Sequence, residues 1–190
     1  MSTDIEMGGI LFLHGLESSP QGTKARWLRD KFGAVAVDLD TSAARALREQ
    51  ALATGLSWDH RTPALQEAFE TPMQRTLEAI ATYQPCMIIG SSFGGAVLLK
   101  LLCEGHWAGL SLFIASAGLK LTPHRQLPQG LRLLFLHGTQ DSVVPIADSR
   151  TLGVTGGPGV QLWEIIDDHR MSSIMVSGTL MDAIAWLLAG

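Results

Sequence analysis

Six short apolar runs punctuate this chain: Gly9–Leu13, Ala34–Asp38, Cys86–Gly90, Leu110–Ala115, Leu131–His137 and Val160–Ile166. A strand with one wet face alternates apolar and polar residues. Runs that are apolar almost without alternation belong to strands covered on both faces. The segments between them mostly read as helices. Lys24–Phe32 sets Ala25, Leu28 and Phe32 on one face. Thr71–Tyr83 has Thr71 as N-cap, Pro72 at the first helical position and Gln74 spaced to close a capping box. Its inner face would be Met73, Leu77, Ile80 and Ala81, and it stops at Gln84–Pro85 because the residue before proline avoids the helical region. A last helix over about Ser173–Leu188 turns Leu180, Ile184 and Leu187 inward. This alternation predicts an α/β architecture: a mostly parallel sheet of about six strands, helices on both faces, joined by right-handed crossovers. One domain over 1–190 suits the length, and an apolar share of 46% against 17% charged residues supplies its core.

The same composition excludes some partners. Lys and Arg number 14 against 18 Asp and Glu, a net charge of −4, which argues against nucleic acid. Met1–Met7 carries Asp4 and Glu6 rather than a basic leader, and the apolar run Ile10–Leu13 is too short for a signal peptide. Ile174–Leu188 is broken by Ser177, Gly178, Thr179 and Asp182, short of the roughly 20 apolar residues of a membrane span. The expectation is a soluble cytoplasmic protein with no membrane partner, a monomer or simple homodimer. Cys86 and Cys103 form no CxxC pair and read as buried free thiols. Residues 39–70 are longer than one crossover needs. Ser42–Thr54 looks helical, stopped by Gly55, and Leu56–Phe69 carries Trp58, His60, Pro63 and Phe69. The stretch is either a small lid or an ordinary surface excursion. Trp58, Phe69 and Trp107 suit a pocket lining and core packing equally.

In an open parallel sheet, ligands bind beyond the carboxyl ends of the strands. There the third run leads into Gly90-Ser91-Ser92-Phe93-Gly94, followed by an apolar helix over Ala96–Glu104. This is G-x-S-x-G in a strand-to-helix context, the sharp turn that lifts a serine hydroxyl above the sheet. The spacing puts Ser92, not Ser91, at the apex. A serine hydroxyl needs a base to take its proton, and a histidine base needs a carboxylate to hold its tautomer. The chain order for this turn is Ser, acid, His. Asp141 follows the fifth run and His169 the sixth, at neighbouring strand ends. Asp148, inside an expected helix, and Asp168, adjacent to His169, are weaker acids for the role. An oxyanion forming at the serine would need backbone donors, for which Phe93 N–H and Leu16 N–H are placed.

His14 and His137 precede glycines at strand ends and read as loop-positioning groups, while His60, His106 and His124 are isolated and read as surface residues. No histidine pair has metal-ligand spacing and no cysteine cluster exists, so neither metal nor cofactor is expected. Gly22-Thr23-Lys24 has the wrong order for a phosphate loop. Lys24 reads as a solvated helix start, or as a cap for its loop or an attractor of anions.

The stretch Leu13-His14-Gly15-Leu16-Glu17-Ser18-Ser19-Pro20-Gln21-Gly22-Thr23-Lys24, the elbow, His137-Gly138-Thr139-Gln140-Asp141 and the late His169 resemble, in order, the motifs of the small bacterial YqiA-like esterases. The resemblance spans residues 13–169 but does not extend to 39–70. It implies a minimal α/β-hydrolase fold without a large cap domain. It also implies serine esterase activity on small-molecule esters, an acyl-enzyme on Ser92, His169 as general base and Asp141 orienting it. A thioesterase, lactonase or acyltransferase on the same three residues, or a non-catalytic binding protein on this scaffold, are the alternatives.

Overall fold

The structure, a computed structural model, describes residues 9–189. Met1–Met7, with Asp4 and Glu6, lies outside the described residues. The first half of the chain runs β1 (Ile10–Leu13), α1 (Thr23–Phe32), β2 (Val35–Val37), α2 (Ser42–Thr54), α3 (Pro63–Ala68), α4 (Glu70–Tyr83) and β3 (Met87–Ser91). The second half runs α5 (Phe93–Cys103), β4 (Leu110–Ile114), α6 (Gly118–Leu121), β5 (Leu133–Gly138), α7 (Ile146–Gly153), β6 (Val160–Ile165), α8 (Ser173–Val176) and α9 (Thr179–Leu188). The strands form one parallel sheet in the order β2-β1-β3-β4-β5-β6.

The continuous apolar runs are explained by two separate cores. Leu11 and Leu13 of β1, Ile88 of β3, Phe113 of β4 and Phe135 of β5 face a layer built from α2 to α7. Their neighbours Ile10, Phe12, Ile89, Leu112 and Leu134 face α1, α8 and α9 on the other side. Period two therefore distributes residues between two apolar layers, with no wet face to interrupt the run. Phe113 and Phe135 stack across the sheet with centroids 4.6 Å apart. Edge strand β6 is covered less fully, exposing Gln161 on one face and Glu164 on the other. Every residue of α5 from Phe93 to Leu99 is buried, so this apolar helix belongs to the core.

Five local expectations are corrected. α4 begins at Glu70 with Phe69 as its cap, not at Thr71, and no side chain caps it. Gln74 hydrogen-bonds Glu78 instead of closing a capping box. The cause is Phe69, which is 1% exposed and stacks on Phe93 at 4.9 Å, joining α3 directly to α4. Rotated accordingly, α4 buries Pro72, Met73 and Thr76 and leaves Ala81 exposed. The last helix is two helices, broken at Ser177–Gly178. Cys86 and Cys103 are free thiols but only half-buried, and what burial they have pushes both thiol pKa values up.

Within 39–70, Leu65, Ala68 and Phe69 enter the core, Trp58 packs against it, and Gly55 ends α2 with φ 68°. Trp107 packs over Gly109 just before β4, at the opposite end of the sheet from Ser92, and donates to Ser111 Oγ at 3.0 Å. It is core packing, not pocket lining. Among the described residues, no helix is long and apolar enough to cross a membrane.

Candidate active site

Ser92 is the single residue between β3 and α5, with φ 52° and ψ −110°. L-residues avoid this region, so surrounding bonds must hold it. Ser92 N–H donates to Ile114 C=O at 2.9 Å, and Ser92 C=O accepts from Ala117 N–H at 3.1 Å and Ala96 N–H at 3.2 Å. The flanking glycines are required by close approach. A Cβ on Gly90 would lie 2.6 Å from Gly94 O, and one on Gly94 would lie 2.1 Å from Leu13 O. The second contact seats the start of α5 against the end of β1. Ser91 is buried at the end of β3 and takes no part.

Ser92 Oγ lies 2.9 Å from His169 Nε2, and His169 Nδ1–H donates to Asp141 Oδ2 at 2.7 Å. The Asp141 side chain is fully buried. Its Oδ1 accepts the N–H groups of Val143 and Val144, each at 2.8 Å. Asp141 and His169, 28 residues apart, meet because the β5–α7 loop lies directly on the β6–α8 loop. A Cβ on Gly138 would sit 2.3 Å from Asp167 O. Thr139 N–H donates to Ile165 C=O at 2.7 Å, and Gln140 N–H to Asp167 C=O at 3.1 Å. The competing acids are occupied elsewhere: Asp168 Oδ1 accepts Arg170 N–H at 2.8 Å, and Asp148 lies in α7.

The loop after β1 lies beside Ser92, and a Cβ on Gly15 would touch Ser92 Cβ at 3.4 Å. His14 is 2% exposed; Nδ1–H donates to Gly15 C=O at 2.9 Å and Nε2 accepts Leu39 N–H at 3.3 Å. Burial pushes its pKa down, so the ring is a neutral spacer between β1 and β2. Thr41 Oγ1–H donates to Leu16 C=O at 2.9 Å. Among the described residues, neither Leu16 N–H nor Phe93 N–H has a protein acceptor. A polar cavity opens beside this loop, lined in part by Ser18, Ser19, Arg45 and Arg75.

Two contributions escape a reading of the sequence, and a third, from His137, goes beyond the loop-positioning role read for it. Lys24 is not a solvated helix start. Its ammonium donates to Arg170 C=O, next to His169, and burial pushes its pKa down against the opposing pull of Asp167 and Asp168. Thr41 anchors the Leu16 loop from the far side of β2. His137 reaches Asp141 itself, with Nε2 3.2 Å from Oδ2. The only sequence signals are a lysine eleven residues along the first motif (Leu13–Lys24) and the histidine that opens H-G-x-x-D. Of the other histidines, His106 is exposed, while His60 and His124 are half-buried. Among the described residues, no group of three or more His, Cys, Asp or Glu side chains is placed to hold a metal ion.

A six-stranded parallel sheet with helices on both faces and a strained serine at the β3–α5 turn defines the α/β-hydrolase fold. No family model matches the sequence, and no curated protein matches it. Solved structures do match. A protein from Xanthomonas campestris pv. campestris, described as a hydrolase of the alpha/beta superfamily, is 18% identical with a TM-score of 0.69, covering 97% of this chain and 99% of its own. Est1E from Butyrivibrio proteoclasticus is 14% identical with a TM-score of 0.64, covering 98% and 91%. An alpha-beta serine hydrolase homologue from Coxiella burnetii is 14% identical with a TM-score of 0.62, covering 94% and 85%.

Proposed function

We propose that this protein is a serine hydrolase that cleaves a small-molecule carboxylic ester or thioester through an acyl-enzyme. The observation that carries this reading is the unbroken chain from Ser92 Oγ to His169 Nε2 at 2.9 Å and from His169 Nδ1 to Asp141 Oδ2 at 2.7 Å. With Nδ1–H committed to the carboxylate, Nε2 is left bare to accept the serine proton. Ser92 attacks the carbonyl carbon while His169 takes that proton. Phe93 N–H and Leu16 N–H receive the developing oxyanion. The imidazolium then protonates the leaving alcohol or thiol, and water attacks the acyl carbon with His169 again as base. Ser92 is regenerated. None of these steps needs a metal or cofactor.

The likeness to named hydrolases supports the class, and the motif series from Leu13 to His169 supports a YqiA-like esterase within it. In this reading the working unit is a monomer or simple homodimer in the cytoplasm, with no nucleic-acid or membrane partner. The test is fluorophosphonate labelling alongside p-nitrophenyl acetate turnover. Wild type should label and turn over, and Ser92→Ala should do neither. A folded wild type inert to both overturns the proposal.

A further inference from the structure

His137 is fully buried at the end of β5, one turn of loop before Asp141, and the hydrolytic scheme above does not use it. Its surroundings define its protonation. Nε2 lies 3.0 Å from Val144 C=O and 3.2 Å from Asp141 Oδ2. Both neighbours are acceptors, so Nε2 must carry a proton. Nδ1 lies 2.7 Å from Ser149 Oγ, on α7, and Ser149 is itself 2% exposed. Among the described residues that hydroxyl has no other acceptor, so it donates to a bare Nδ1. The ring is thereby fixed as a single tautomer in a single orientation.

The residue His137 holds is the one that holds the acid. Val144 C=O accepts from His137 Nε2–H, and Val144 N–H donates to Asp141 Oδ1 at 2.8 Å. A closed ring runs from His137 through Val144 to Asp141 and back to His137, with Ser149 joined to it through His137 Nδ1. The carboxylate's other oxygen faces both His169 Nδ1 and His137 Nε2. We propose that His137, oriented by Ser149, is the positioning residue that locks the Asp141 loop against His169. The proposal rests on the assignment of Ser92, His169 and Asp141 above. A bland loop tether would need only one hydrogen bond; this ring engages the acid from the carbonyl side and from the carboxylate side.

The test combines spectroscopy with kinetics on the full chain. Two-bond proton–nitrogen spectra of nitrogen-15-histidine protein should show His137 protonated on Nε2 and bare on Nδ1. In Ser149→Ala the Nδ1 signal should move toward that of a free nitrogen. In His137→Leu the His169 Nδ1–H resonance should move upfield and exchange faster with water. There kcat should fall on the order of 10²-fold with KM within about twofold, the effect of a misplacement near 1 Å. His137→Gln, whose amide can donate to Val144 C=O, should recover kcat to within about tenfold of wild type. Wild-type His137 protonated on Nδ1 alone overturns the proposal. So does a folded His137→Leu protein whose His169 resonance and kcat match wild type. Fluorophosphonate labelling tests the Ser92 assignment separately, because the nitrogen spectra report His137 whether or not the protein turns over.

Discussion

Replacing Gly94 with alanine puts a methyl group where β1 already stands. The new Cβ would lie 2.1 Å from Leu13 O, 2.4 Å from Leu13 C and 2.8 Å from His14 O, whereas ordinary contact begins near 3.4 Å. All three atoms are backbone at the end of a central strand, so no side chain can swing aside. The start of α5 and the end of β1 must part by about 1.3 Å, the difference between 3.4 and 2.1 Å. Phe93 N–H rides on α5 and Leu16 N–H on the loop after β1, so the gap opens between the two proposed oxyanion donors. Losing one donor costs on the order of 10²–10³ in rate, and kcat/KM should fall into that range. Forcing extra volume into a packed site costs roughly 1–3 kcal/mol, and at roughly 2–4 °C per kcal/mol a chain of this size should melt measurably lower. The assay is p-nitrophenyl acetate turnover and fluorophosphonate labelling rate beside a thermal melt. Gly153→Ala is the control, since its methyl would meet nothing within 4 Å. A folded Gly94→Ala protein with kcat/KM within about threefold of wild type would refute the donor geometry, since even one lost donor is expected to cost more.

Three further outcomes are expected. Asp141→Asn should lower kcat on the order of 10³–10⁴-fold while leaving the circular dichroism spectrum unchanged, because the amide oxygen can still accept Val143 and Val144 N–H. Thr41→Val preserves shape but removes the anchor on Leu16 C=O; kcat should drop about tenfold, less than the loss of a whole donor, and an unchanged kcat would free the loop from this role. Lys24→Met reports on pH. Burial lowers the folded-state pKa of Lys24, so between that value and the unfolded value, about 10.4, the unfolded chain binds more protons. Wild type should therefore gain stability relative to Lys24→Met as pH rises through that window, read by urea titrations near neutrality and near pH 10. A gap that shrinks instead would show that the folded state favours the charged ammonium.

The six strands were legible in the sequence to within one or two residues because their signal is local. A run such as Leu133–Leu136 is apolar throughout since both faces of β5 are covered, and no partner need be known to read that. The elbow was legible because its glycine spacing is local, with Gly90 and Gly94 in contact across a single turn, although Gly94 is also kept small by Leu13 O of β1. The order Ser92, Asp141, His169 followed from where the runs end. What only the tertiary structure decided depends on groups distant in the chain. Phe69 moves the start of α4 because it stacks on Phe93, 24 residues away. Trp107 falls at the opposite end of the sheet from Ser92 because β4 begins just beyond it. Lys24 touches Arg170, 146 residues on, because α1 and the loop before α8 share one side of the sheet. His137 meets Asp141 and Ser149 because the loop between them folds back over β5. Periodicity and capping describe how a residue sits relative to its chain neighbours. Which distant side chains meet is set by the crossovers and by the overlay of the β5–α7 and β6–α8 loops at Gly138, a contact that no window of adjacent residues contains.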